Sequence, residues 1–157
     1  FNALHASAIA LPFGELYTAL QTGVVDGEEN PLDTIRAMKF YEVQDYLVVS
    51  NHGAMEDVVL FNPTFWNGLP EEYQTVITEA FQEVIPELIA HKEAAVADSL
   101  EEIKAAGVEV RVLSDEEKAA FREVMYPATR KAYVERAGDE GKALVELYEQ
   151  EYEKLSN

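Results

Sequence analysis

The sequence contains no cysteine. That absence removes disulfides, zinc–thiolate centres and thiol nucleophiles together, and it suits a bacterial periplasm and a cytoplasm equally. Basic residues are scarce: 12 Lys and Arg stand against 30 Asp and Glu, a net charge of -18. Nucleic acid and anionic membrane surfaces carry the same sign as this chain, so neither is an expected partner. A small anionic ligand stays open, because one or two local donors outweigh a distant, salt-screened field. No apolar run approaches the length of a membrane span, and the amino end lacks a basic-plus-apolar signal pattern. A mature or truncated chain, its signal peptide removed, has this appearance. A Gly-rich phosphate loop and a nucleophile elbow are also missing.

What is present is a chain of 157 residues, 48% hydrophobic and 27% charged. Such a composition builds a real core and argues against disorder; the length fits one compact domain or a piece of a larger one. The first third mixes short elements. Phe1–His5 reads as the end of a helix. The apolar run Ser7–Leu11 reads as a buried strand ended by Pro12. Gly14–Thr22 reads as a short helix stopped by Gly23, and Val24–Gly27 as a short strand and turn. Asn30 and Pro31 make an N-cap and first helical residue, predicting a helix over about 31–40. Tyr46–Ser50 and Asp57–Phe61 read as strands, joined by the polar-tipped connection Asn51–Glu56. From Pro70 the apolar residues fall at helical spacing through Ile103 to a Gly107 cap, giving one helix of over thirty residues bent by Pro86. Val108–Val112 alternates as a strand. Ser114 and Glu117 form a capping box. Pro127 and the Gly138/Gly141 pair divide the remainder, which ends in an amphipathic helix through Leu144, Leu147, Tyr148, Tyr152 and Leu155. The pattern is that of a helix-rich α/β protein.

Candidate chemistry is thin. Of the three histidines, none has a metal-ligand spacing; Glu87 and His91 share a helix face but read as solvated. Asp26, Glu28 and Glu29 form an acidic cluster, which reads more simply as a wet turn lacking the perturbed pKa an acid–base catalyst needs. No catalytic residue, metal site or cofactor is expected. For binding, Phe13 and His52 follow strand carboxyl ends, where ligands of open α/β sheets sit. Phe13 is either a ligand-packing ring or a core residue, Asn30 an amide donor or a cap, His52 an anion donor or an ordinary loop histidine. An organic acid also needs a cation. Arg36 lies close in sequence, Arg111 reads as a polar strand residue, and Arg122, Arg130 and Arg136 read as helix-surface charges.

The segment Pro12-Phe13-Gly14-Glu15-Leu16-Tyr17-Thr18-Ala19-Leu20-Gln21-Thr22-Gly23-Val24-Val25-Asp26-Gly27-Glu28-Glu29-Asn30-Pro31 resembles the signature block of solute-binding subunits of tripartite ATP-independent periplasmic (TRAP) transporters, the DctP family. Lys39–Gln44, Ser50-Asn51-His52, Trp66 and Leu69-Pro70-Glu71 continue the likeness at the family's spacings. The resemblance implies a two-lobe α/β fold of periplasmic-binding-protein type with a long lobe-spanning helix. Residues 1–157 would then be its C-terminal portion: the second lobe, the linking helix and the C-terminal helices, without the first lobe. It implies a periplasmic protein that encloses a small organic acid and delivers it to sodium-coupled membrane permease subunits. It implies ligand contacts at Phe13, by packing, and Asn30, by hydrogen bonding near the carboxylate. His52, Met55 and Asp57 fall in the stretch that tunes substrate choice. Met55-Glu56-Asp57 is acidic, which disfavours a second ligand carboxylate there. The family's carboxylate-binding arginine lies upstream of the region matched here, so this chain alone is expected to bind weakly and to self-associate through uncovered surfaces. Two other classes remain: a helical protein-interaction module with no small ligand, and an enzyme built on the acidic cluster.

Overall fold

The computed structural model describes residues 1–157 except 54, 56 and 157. The chain forms two compact units: unit 1 comprises Phe1–Ala10, Ser50–His52 and Val112–Asn157, and unit 2 comprises Leu11–Val49 and Gly53–Arg111.

Unit 2 holds the apolar core. A 3₁₀ turn, Phe13–Glu15, leads into α1, Leu16–Gln21. Thr22 and Gly23 end it, Gly23 at φ 71, a left-handed value suited to glycine. The expected strand at Val24–Gly27 is a turn instead, the Val24 N–H donating 2.9 Å to the Ala19 carbonyl. Then come α2, Leu32–Ala37, a 3₁₀ turn at Phe40–Glu42, and β1, Tyr46–Val49. Helix α3, Pro63–Asn67, precedes α4, Glu71–Ala105, which runs on through Pro86. At 1.5 Å per residue, α4 is about 50 Å long. Strand β2, Glu109–Val112, pairs with β1 in a two-stranded sheet. Leu20, Ile35, Phe40 and Ile103 meet in the core, so α1, α2 and the last turns of α4 close on Phe40, which is fully buried. Burying such a ring contributes roughly 1.5–3 kcal/mol. The Arg36 Nε lies 2.6 Å from Glu102 Oε2, and Lys92 pairs with Asp33, tying α2 to α4.

Two expected strands, Ser7–Leu11 and Asp57–Phe61, have no regular structure. A β-branched or apolar run becomes a strand only against a ladder partner, and neither run has one among the described residues. Ile9, Val58, Val59 and Leu60 accordingly stand exposed.

Unit 1 is dominated by α5, Asp115–Ser156, opened by the expected capping box. The Glu117 N–H donates to Ser114 Oγ (3.2 Å), and the Ser114 N–H donates to Glu117 Oε2 (2.9 Å). Pro127 does not divide the helix. Gly138 does: its φ of 66 and ψ of -150 form a conformation reserved for glycine. Close packing at the break leaves Gly141 no room for a side chain, since a Cβ there would lie 2.3 Å from that of Ala137. Arg122 and Arg130 are partly exposed, as surface charges are, but both are engaged. The Arg122 guanidinium sits 4.5 Å from the Tyr126 ring centre and 4.1 Å from that of Tyr152. Arg130 Nε donates 2.8 Å to Glu149, which also accepts from the Tyr126 hydroxyl at 3.0 Å. These contacts, spanning 19 and 23 residues of sequence, fold the two arms of α5 together.

Candidate functional site

Phe13 is positioned by Pro12, whose extended backbone opens the 3₁₀ turn. Its ring meets the Phe40 ring edge-on, centres 5.9 Å apart, and stays 47% exposed. One edge is thus anchored to the core while the rest of the ring is available to an apolar partner.

Asn30 lies on the loop before α2 and does not cap it; Pro31 takes the cap position. Asn30 instead donates its side-chain N–H to Glu28 Oε2 at 2.6 Å, and both residues are half-buried. The same Asn-Pro pair does cap α3, where Asn62 Oδ1 accepts from the Thr64 and Phe65 N–H groups at 2.9 and 3.2 Å. The difference is one of register: Pro31, not Asn30, stands at the cap position of α2, and Asn30 Oδ1 accepts no helix N–H among the described residues. Burial pushes the Glu28 carboxyl above the ordinary range, and Glu29 adds to this, against the Asn30 hydrogen bond that lowers it. Glu28 is therefore not the solvated turn residue the sequence suggested.

His52 belongs to unit 1, its Nδ1 2.7 Å from Ser50 Oγ and its ring edge-on to Phe1 at 5.2 Å. Met55 and Asp57 are exposed and outside regular structure; Glu56, between them, lies outside the described residues. Within unit 2 no hydrogen bond or ring contact joins Phe13 to Asn30 among the described residues. Arg36 is engaged with Glu102, so its nearness in sequence to Asn30 does not make it a ready carboxylate clamp. An open depression of about 330 Å³ lies against Tyr41, Glu42, Gln44, Asp45 and the Ala106–Val108 turn, and none of the five expected residues lines it.

Residues 1–136 match the family model described as bacterial extracellular solute-binding protein, family 7 (DctP). The ectoine-binding periplasmic protein TeaA of Halomonas elongata is 36% identical over 150 residues, which are 94% of this chain and 44% of that protein. The C4-dicarboxylate-binding periplasmic protein DctP of Rhodobacter capsulatus is 39% identical over 145 residues, 92% of this chain and 43% of its own length. A crystal structure of a TRAP periplasmic solute-binding protein from Desulfovibrio salexigens with bound orotic acid is 64% identical and superposes with a TM-score of 0.91. It matches 98% of this chain and 49% of that one. The chain thus spans about half the length of the proteins it matches.

Proposed function

The chain belongs to the family 7 bacterial extracellular solute-binding proteins, and on that premise we propose that it works as the second lobe of a periplasmic TRAP solute receptor. In this reading residues 1–157 supply that lobe, the long linking helix and the C-terminal helices. The complete receptor closes on a small organic acid and hands it to membrane permease subunits, with no chemical change to the cargo. The observation that carries the proposal is the 64% identity, over 98% of this chain, to a protein holding orotic acid.

The residues fit such a role. Phe13 offers a half-exposed ring backed by the buried Phe40, a rigid apolar surface for a ligand's flat or hydrocarbon face. Asn30 offers an amide whose orientation is held by Glu28. His52, Met55 and Asp57 complete the proposed set of ligand contacts. The carboxylate needs a cationic partner, which the proposal places in the part of the protein beyond these residues.

A melting screen of the full-length protein against orotate, ectoine and C4-dicarboxylates tests this. A ligand at a hundred times its dissociation constant adds about 2.7 kcal/mol, a shift of several degrees. Absence of a shift with every acid would overturn the proposal. It would favour the helical interaction module instead, the one observation in whose favour is the uncovered apolar face along the first half of α4.

A further inference from the structure

An ionised carboxylate has only acceptor oxygens, so the 2.6 Å contact between Glu28 and Asn30 requires the Asn30 amide to turn its NH₂ toward Glu28. Its Oδ1 then faces away. No hydrogen bond occupies that oxygen among the described residues, and it caps no helix, unlike Asn62 Oδ1. Asn30 is half-buried, but this oxygen is not among the buried atoms without a partner, so it stays open to water or to a ligand's donor. The nearby charge is of one sign: half-buried Glu28 itself and the adjacent Glu29. A second carboxylate brought to this place would meet a lone pair and a like charge; an N–H or O–H group would meet an unfilled acceptor.

We propose that Glu28 is a specificity-determining positioning residue, which by holding the amide of Asn30 selects acids with one carboxylate and a separate N–H or O–H donor over C4-dicarboxylates. The inference rests on the proposal that Asn30 lines the ligand site, and it narrows the ligand class within it. Orotate and ectoine both have one carboxylate and ring N–H groups; succinate has two carboxylates and no such donor.

Calorimetric titration of the full-length protein with orotate and with succinate tests it. The wild type should prefer orotate by on the order of 100-fold or more, since a site built around a hydrogen bond rejects a ligand that cannot make it. Glu28→Gln removes the charge and lets the Asn30 amide turn either way, so the preference should fall to about tenfold or less. Glu28→Asp, which keeps the charge and an acceptor, should restore most of it. The ratio of two affinities on one variant cancels any loss of folded protein. A wild type that prefers succinate, or a Glu28→Gln variant with unaltered preference, overturns the inference. Asn30→Ala separates the two levels: if it leaves orotate binding intact, the site itself is misplaced and the inference falls with it. If it weakens orotate while Glu28→Gln changes nothing, only the role of Glu28 is lost.

Discussion

Along α4, Val76, Phe81, Val84, Ile85, Leu88 and Ile89 in the first half are between 41% and 61% exposed, whereas Ser99 and Ile103 near its end are fully buried. Both halves have the apolar spacing of a helix made to be covered on one side. Among the described residues, only the second half has the cover. It faces α2 and the core residues Leu20, Ile35 and Phe40, and it is pinned by Arg36 to Glu102, by the Tyr41 hydroxyl to Glu102 at 3.4 Å and by Lys92 to Asp33. Periodicity therefore records a face that needs covering, while burial depends on what lies opposite.

The largest effects should fall in the covered half. Phe40→Ala should cost about 3–5 kcal/mol and Ile103→Ala about 2–5 kcal/mol, read from urea unfolding, because each empties a fully buried site. A loss below 1 kcal/mol for both would mean that this core is not the stabilising one. Lys92 stands where cover begins. Its hydrogen bond, before any other cause, holds the Asp33 carboxyl below its usual value of 3.8. The stabilisation is thus complete above that ordinary value and lost as pH falls through the depressed folded one. Lys92→Met should cost up to about 1 kcal/mol at neutral pH, Lys92 being largely exposed, and nothing in strong acid. A cost that persists in strong acid would show that packing, not charge, is responsible. The smallest effect is expected at Ile85→Ala, within about 0.5 kcal/mol in this 157-residue chain but about 2–5 kcal/mol in the full-length protein if the face is covered there. Equal effects in both would break the comparison.

Much of this fold was legible in the sequence. The apolar spacing of 73–103, the Ser114/Glu117 box and the alternation at 108–112 each depend on neighbours close in the chain, and each appears where expected. The failures depend on distant or competing partners. Ser7–Leu11 and Asp57–Phe61 have strand composition but no ladder. Asn30 has the same cap signature as Asn62, yet the helix starts one residue later, with Pro31 at the cap, and the Asn30 amide turns to Glu28. The missed helix α3 had its signal in Asn62-Pro63. The partners of Arg122 and Arg130 were not legible because Tyr152 and Glu149 lie far along the chain, on the other arm of α5. At the candidate site, the residue types were readable at Phe13 and Asn30; the tether between Asn30 and Glu28 was not, since burial at position 28 comes from the folded chain around it.

The central claim is that these residues hold part of a receptor for a small organic acid. Titration of orotate, ectoine and C4-dicarboxylates into the full-length protein and into the 157-residue chain tests it most directly. The expected result is saturable one-to-one binding of one acid by the full-length protein, and at least about 100-fold weaker binding by the chain alone, for want of a cation opposite the carboxylate. Equal affinity in the two, or no binding of any acid by the full-length protein, would contradict it.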